Sequence, residues 1–314
     1  MCTPLAEGGE HSDVEVLVAV ATRRRGAAAS RASSSEAVAT TFGKIAPARA
    51  KQLFNWNRIL VVLHGIQAAI IVAISPTDAL ARFEGTYPVS NIVNGQFAGF
   101  TEGKELLLSF PLAYLVAGFF GLSALAHFLV AYPLRERYEG WLARQFNPMR
   151  WAEYALSSTL MIIGIASLSF ITDAGALVAI AVCNASMNLF GWSMEEANIG
   201  RKNVQWSHYI FGCIAGIAPW IAMFTTVGLS LANWPTGTAP NGGSLEDFKP
   251  VLIAIYVSLF ISFNIFAINM VLQRLKVGRW ADYLHGERSY MILSLVAKTL
   301  LAWQVWSGVF MPAN

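Results

Sequence analysis

The chain is poor in charge and in cysteine. Only 13% of its 314 residues are charged and 55% are hydrophobic, a balance far from that of ordinary soluble domains. The three cysteines, Cys2, Cys183 and Cys213, lack metal-ligand spacing and predict no disulfide framework, and we expect the last two to be packing residues. The net charge is only +3, so we expect no nucleic-acid partner. The composition therefore indicates an integral membrane protein.

The first fifty residues lack a sustained apolar period. They are rich in Ala, Ser, Gly and Arg, which predicts a flexible cytoplasmic tail over residues 1–50. The apolar run VEVLVAVA precedes the arginines instead of following them, and this order disfavours a secretion signal. An organelle transit peptide is an alternative reading of the same stretch. We expect residues 51–314 to form one domain.

Seven long apolar segments follow the tail. Each is close to the ~20 residues that a helix needs to cross the hydrocarbon core of a bilayer. We therefore predict an all-α bundle of seven transmembrane helices in the lipid bilayer. The segments cover residues 56–74, 105–132, 148–171, 175–193, 206–231, 250–275 and 287–311.

The basic residues give the bundle an orientation. Of the 22 lysines and arginines, only Arg82, Lys104 and Lys249 lie on one side of the predicted spans, and Lys298 lies within the last span. All the others lie on the opposite side. Because basic loops stay in the cytoplasm, we expect a multi-pass protein of the cell membrane. Its N-terminus should be cytoplasmic and its C-terminus extracellular.

The link between the first two predicted spans, residues 76–104, is long. It contains Asn94 followed by Gly95, the pair that favours a tight two-residue turn between antiparallel strands. We predict an extracellular β-hairpin here. The alternative is an irregular loop, because Gly and Pro interrupt both arms.

Lys298 is the only lysine within a predicted span. It stands eleven residues after Glu287, which places it about 16 Å into the membrane at 1.5 Å per residue. A charged amine is expensive at that depth. Burial favours the neutral amine, which attacks aldehydes to form a Schiff base. The alternative is a lysine that forms an ion pair in a transporter.

Glu153 is the carboxylate that the sequence places well inside a predicted span, about 8 Å from the start of the third. The long lysine side chain can bridge most of the remaining depth to it. A single acid opposite a single buried cation leaves little excess charge in a medium of low dielectric constant. The alternative is that Glu153 pairs with Arg150 at the level of the lipid headgroups.

Two other predicted spans and the span of Lys298 itself carry polar residues at about the same level. His64 and Gln67 are three residues apart, Ser123 and His127 are four apart, and Ser294 stands one turn before the lysine. Each pair therefore shares a helix face. Together these five residues predict a hydrated pocket beside the cation, in which the histidines accept a proton or organise water. A lone intramembrane histidine is more often a hydrogen-bonded packing residue.

Aromatic, methionine and small polar residues on three predicted spans, with one glycine, are candidates for the wall of a ligand pocket. Aromatic and methionine residues at helical spacing are also common in ordinary helix cores, so this pattern is weak by itself. The candidates are Trp151, Tyr154, Ser157, Ser158, Met161, Asn184, Met187, Asn188, Gly191, Phe260, Phe263 and Phe266.

Two segments and the inverted orientation resemble a known family. The run SYMILSLVAKTLLAWQ around Lys298 and the run RWAEYALSS around Glu153 are similar to those of heliorhodopsins, and the resemblance extends over about residues 51–314. It implies retinal, expected to be all-trans in the dark, bound as a Schiff base to Lys298. It also implies Glu153 as the counterion and Ser294 as a hydrogen-bond partner, with His64 and His127 nearby.

The resemblance further implies a light receptor and not an enzyme. We expect a homodimer with a slow signalling photocycle, an unidentified cytoplasmic partner and no ion pumping.

Two other functions are consistent with a buried lysine and glutamate. A light-driven ion pump or channel would use the same chromophore. A pump needs a relay of acids to carry protons, but this sequence has Ser157, Gly164 and Ser294 at the positions where such a relay needs carboxylates. A transporter without pigment would use Lys298 and Glu153 as an ion pair, but we find no inverted repeat. A light receptor is therefore our leading hypothesis.

Overall fold

Long helices and one hairpin make up most of the chain. A computed structural model describes residues 44–237, 244, 246 and 248–307. A short 3₁₀ helix, Gly278–Ala281, precedes the last helix. The elements in chain order are α1 (Pro47–Ile74), β1 (Leu80–Val93), β2 (Gln96–Pro111), α2 (Leu112–Ala131), α3 (Arg135–Ala143), α4 (Pro148–Leu168), α5 (Ala174–Ala197), α6 (Ser207–Ala232), α7 (Phe248–Leu275) and α8 (Tyr283–Val305).

Six of these helices are long and apolar enough to cross a membrane: α1, α2, α4, α5, α6 and α7. They coincide with the first six predicted spans. The seventh predicted span is present as α8, a helix of 23 residues. It carries Glu287, Arg288 and Lys298 and is not among the six. A helical membrane protein is thus confirmed, and the passage of α8 through the membrane stays a prediction.

The hairpin between the first two spans is confirmed, and it is longer than expected. Its strands pair antiparallel from Leu80 opposite Pro111 to Val93 opposite Gln96. Asn94 and Gly95 have φ angles of 52° and 76°, as a tight turn with left-handed central residues requires. The alternative of an irregular loop is wrong.

The start of the second predicted span is also wrong. Residues 105–111 belong to β2, where their backbone groups pair with β1, and α2 begins at Leu112. The apolar run of Leu106, Leu107 and Leu108 resembles the start of a helix by composition alone. Pro111 separates the two elements, because proline fits the N-terminal boundary of a helix and not its interior.

The first helix begins at Pro47, four residues before the predicted domain boundary at residue 51. The predicted tail up to residue 43 lies outside the described residues. A short helix that the sequence did not indicate, α3, follows α2 and buries Tyr138 and Leu142. Burial raises the pKa of Tyr138 to about 12, so its hydroxyl stays neutral at physiological pH.

The helices pack so that α4 and α8 face a common interior. Helix α4 contacts α2 and α5, α5 contacts α6, α7 contacts α8, and α8 also touches α1 and α2. A continuous apolar cluster that includes Phe119, Phe120, Ile162 and Leu301 fills one part of the interior. This packing brings residues that are far apart in sequence to the same depth in the bundle.

Side-chain caps fix the starts of three helices. Asn147 accepts from the amide of Arg150 at the start of α4, Asp173 from Ala176 at α5, and Asp282 from Leu284 at α8. Such caps satisfy amides that have no partner within the helix. The cap at α4 sets the start of the helix that carries Glu153.

Candidate functional site

The centre of the site is a buried pair of opposite charges, Lys298 on α8 and Glu153 on α4. The Lys298 Nζ lies 3.2 Å from Glu153 Oε1, and the two residues are 2% and 9% exposed. Lys298 also donates to Ser294 Oγ at 2.8 Å, and Ser123 donates to Glu153 Oε1 at 2.6 Å. Each charge therefore has a partner of opposite charge and a hydroxyl, which a buried ion pair requires.

An aromatic ring forms one side of this pair. The Lys298 Nζ lies 5.4 Å from the centre of the Tyr154 ring, close enough for a cation–π attraction. The Tyr154 hydroxyl donates to the carbonyl of Tyr290 at 3.0 Å, which fixes the orientation of the ring. Tyr154 links the charged pair to α8 and to the larger aromatic wall.

The two predicted histidines lie face to face beside the pair. The rings of His64 and His127 stack at 5.6 Å with an interplanar angle of 5°. His127 Nδ1 lies 2.7 Å from Asn57 Oδ1. His64 is fully buried, and neither of its ring nitrogens has a hydrogen-bond partner among the described residues. Buried polar groups normally bind protein or water, so these nitrogens suit a hydrated cluster.

Two of the predicted site residues stand at the edge of this arrangement. Gln67 contacts neither Glu153 nor the amine in a described hydrogen bond; it accepts from Thr299, the residue after Lys298, at 2.8 Å. This bond ties α1 to α8. Ser157 is fully buried one turn after Glu153, but it does not line the large cavity described next.

A cavity of about 560 Å³ opens from the amine of Lys298 between α4, α5, α6, α7 and α8. Its size falls within the roughly 300–1,000 Å³ of small-molecule sites. Of the predicted wall residues, it is lined by Trp151, Tyr154, Ser158, Met161, Met187, Asn188, Gly191, Phe263 and Phe266, together with Ser294 and Lys298.

Other wall residues were not indicated by the sequence. Trp220, Cys213 and His208 on α6 line the cavity. Cys213 is exposed and not a core packing residue as expected. Phe260 does not line the cavity, but its ring packs edge-on against Trp220, with 5.1 Å between the two ring centres. The aromatic lining therefore comes from α4, α6 and α7, and the sequence did not indicate the contribution of α6.

Two glycines let large side chains of the cavity lining pack against the helix backbone. A Cβ on Gly191 would overlap the ring of Trp151, and one on Gly216 would overlap the side chain of Met187. A largely apolar cavity that is lined by a buried primary amine fits an aldehyde with a hydrocarbon body, such as retinal.

A second buried charge cluster lies nearer the start of α4. Arg150 forms ion pairs with both Glu195 and Glu287, and Arg274 lies 3.3 Å from Glu195. Trp151 Nε1 also donates to Glu195 at 2.8 Å. The alternative that Arg150 pairs with Glu153 is therefore wrong.

This second cluster shows that Glu153 is not the only buried carboxylate among the described residues. Glu195 and Glu287 are 0% and 1% exposed. The sequence places both at the ends of predicted spans, where they look like surface residues. Their burial depends on how α5, α7 and α8 converge.

A small cavity of about 40 Å³ lies between the two charge clusters. Its lining includes His127 and Glu153 from the first cluster, Arg150 and Glu287 from the second, and Tyr138 from α3. A cavity of this size, lined in part by charged and polar side chains, has room for about one or two water molecules. The clusters are thus neighbours with space for solvent between them.

A helical membrane bundle with a buried lysine at the end of an aromatic cavity has the architecture of a rhodopsin. The Heliorhodopsin family model matches residues 53–310. The chain belongs to the heliorhodopsin family, and the resemblance seen in the sequence is confirmed. Membership implies a retinal chromophore and a light-sensing function, not a typical enzyme. No curated protein matches the chain.

Proposed function

We propose that this chain is a light receptor that holds retinal as a Schiff base on Lys298 and signals through a slow photocycle without pumping ions. The observation that carries the proposal is the position of the Lys298 amine, which opens into the aromatic cavity and contacts Glu153 at 3.2 Å. The bound chromophore supplies light absorption and isomerisation. The remaining steps concern what the side chains of this chain do.

Glu153 is the proposed counterion. A carboxylate at this distance stabilises a positive charge on the lysine nitrogen, while burial disfavours it. The Ser123 hydroxyl stabilises the carboxylate by a charge-assisted hydrogen bond at 2.6 Å. Ser294 orients the nitrogen from the other side at 2.8 Å. This arrangement supports a protonated chromophore linkage in the dark.

The histidine pair is the proposed destination of a proton released from that linkage. His64 offers ring nitrogens without described partners, and His127 is held by Asn57. A neutral imidazole has one ring nitrogen that can accept a proton. Because the cluster is buried, a proton held there can return to the linkage without crossing the membrane.

The absence of pumping is proposed from the positions of the carboxylates. Ser157 and Gly164 follow Glu153 on α4 without a further acid, and Ser294 precedes Lys298. The other two buried carboxylates described above, Glu195 and Glu287, are held by Arg150. A carboxylate that pairs with a permanent cation is a poor proton carrier. Illuminated cells should show no sustained pH change that a protonophore abolishes, and a steady photocurrent would favour a pump.

The remaining features of the proposal concern the assembled protein. We propose that α8 is the seventh span, that the N-terminus is cytoplasmic and the C-terminus extracellular, and that the chain forms a homodimer. We also propose all-trans retinal in the dark and a cytoplasmic signalling partner. The orientation is supported by the distribution of basic residues.

The decisive experiment is to express the chain with all-trans retinal and record its absorption spectrum. Borohydride treatment under illumination should fix the chromophore to a peptide that contains Lys298. Lys298→Ala should give colourless protein, whereas the control Lys249→Ala should keep its colour because Lys249 is partly exposed at the start of α7. Colour retained by Lys298→Ala would overturn the proposal.

A further inference from the structure

Two arginines share one aromatic ring near the start of the first helix. The guanidinium carbon of Arg58 lies 5.4 Å from the centre of the Phe54 ring, and that of Arg135 lies 4.6 Å from the same centre. Tyr132 packs edge-on against Phe54 at 5.9 Å. Because both distances refer to one ring, the two guanidinium carbons lie no more than about 10 Å apart. Residues from α1, from the end of α2 and from α3 thus converge on one surface.

The donors of this surface are only partly used. Arg135 binds Glu139 through Nε at 3.0 Å, which leaves its two terminal nitrogens for another acceptor. Arg58 has no ion pair in the part of the chain that the structure describes, and Lys51 is exposed two turns before it on α1. Glu136 and Glu139 on α3 are the neighbouring acids. Two guanidinium groups beside a half-exposed tyrosine can bind a phosphate group through charge-assisted hydrogen bonds.

An apolar stripe continues directly from the arginines along α1. Ile59, Val62 and Ile66 follow Arg58 towards the middle of the helix and are 50%, 56% and 50% exposed. In a membrane these side chains face acyl chains. The cationic surface therefore stands at one end of a lipid-facing stripe, in the headgroup region where aromatic residues concentrate. A ligand that matches both parts has an anionic head and a hydrocarbon tail.

We propose that Phe54, Arg58, Tyr132 and Arg135 form a binding site for the phosphate headgroup of one anionic phospholipid. The lipid belongs to the leaflet on the side where α1 begins. Its acyl chain lies along the stripe of Ile59, Val62 and Ile66. The site is separate from the chromophore cavity and does not depend on the proposed photochemistry.

The test measures lipid binding to the full-length protein. Native mass spectrometry during titration with phosphatidylglycerol gives the affinity of the first bound lipid. Arg58→Gln with Arg135→Gln should weaken that affinity by about tenfold or more, equivalent to the loss of one charge-assisted contact or more. The matched control is Arg201→Gln with Lys202→Gln, an exposed basic pair on the same side of the bundle. It removes the same charge and should change the affinity by less than about twofold. An equal loss in both variants would overturn the site in favour of general charge attraction.

Two further measurements keep the test decisive. Phe54→Leu keeps every charge but removes the ring that holds the arginines together, and it should also weaken lipid binding by a few-fold. Unchanged lipid binding by Phe54→Leu would contradict the proposed geometry. The same variant tests the site if the double arginine variant does not fold. Inorganic phosphate at millimolar concentration should not displace the lipid, because it lacks the hydrocarbon tail. Efficient displacement would show a site for free anions and not for lipid.

Discussion

The protein buries two charge clusters a short distance apart, and they are built in opposite ways. The first has one cation, Lys298, and one carboxylate, Glu153. The second pairs Arg150 with Glu195 and Glu287 and adds Arg274. Lysine can lose its proton and form covalent bonds, whereas arginine keeps its charge in proteins.

The difference separates a reactive centre from a structural one. A single lysine–glutamate pair responds strongly to any change in one partner, because among the described residues no second carboxylate pairs with Lys298. In the arginine cluster each carboxylate has several donors, including Asn147 for Glu287 and Trp151 for Glu195. The first cluster suits chemistry that changes charge, and the second suits a fixed junction of α4, α5, α7 and α8.

The largest effect should come from breaking the arginine cluster. Arg150→Ala leaves Glu195 and Glu287 buried without their main cation, and loss of one partner of a buried pair costs about 3–5 kcal/mol. We expect a large fall in the melting temperature of the purified protein, measured by circular dichroism. Arg137→Ala, at an exposed position on α3, should melt like the wild type. Similar melting of the two variants would mean that the cluster does not hold the helices together.

The next effect tests Glu153 in the pigment. Glu153→Gln removes the negative charge and keeps the shape, so the lysine-linked chromophore should lose its proton more easily. The change from the coloured to the near-ultraviolet form should move to lower pH by on the order of one unit or more. The measurement is a spectral titration in chloride-free buffer, because a solvent anion can replace the carboxylate. A titration identical to that of the wild type would exclude Glu153 as the counterion.

A smaller effect should follow from removing one hydroxyl beside Glu153. Ser123→Ala deletes the 2.6 Å hydrogen bond to Oε1, and such a bond favours the charged carboxylate. The acid-induced red shift, which reports protonation of the counterion, should therefore occur at higher pH than in the wild type. Ser167→Ala is the control, because Ser167 on the same helix donates to the carbonyl of Ile163 and lines neither cavity. Equal midpoints for the two variants would refute this role of Ser123.

The smallest effect concerns a surface ion pair that caps α8. Burial raises the pKa of Asp282, but the hydrogen bond and charge of Arg49 and the Leu284 amide outweigh it, so the pKa lies below its usual value. Since the folded pKa is depressed, the stabilisation is present above the unfolded pKa, about 3.9, and is lost as the pH falls through the folded value. Asp282→Asn should cost about 1 kcal/mol or less at pH 7, because the pair is partly exposed and asparagine still caps. Melting curves at pH 7 and pH 3 should show this difference shrink at the lower pH; a constant difference would contradict it.

Much of the fold followed from patterns that act locally. Membrane spans are apolar over their whole length, so composition located six helices, and the Asn94–Gly95 turn located the hairpin. Lys298 and Glu153 stood out because a charge within an apolar span is rare. The two segments that resemble heliorhodopsins contain these same two residues.

The rest depended on packing between distant elements. Glu195 and Glu287 lie near helix ends, where the sequence does not distinguish a buried acid from a solvated one. Asn57 binds His127 across two helices, and no spacing within one helix predicts such a contact. The first turns of the second predicted span were a strand, because pairing with β1 outweighed their apolar composition.

The base of the hairpin is hydrogen-bonded to the segment before α5, and its turn is exposed. Near the base, the Glu84 amide donates to the carbonyl of Thr172 at 2.8 Å, and Thr86 donates to Asp173 at 2.9 Å. The turn residues Asn94 and Gly95 are exposed. An epitope or fluorescent tag inserted at the turn should therefore leave the bundle intact. Such a tag would also report the orientation of the bundle, because an antibody that does not cross the membrane binds it on whole cells only if the hairpin is extracellular, as we propose.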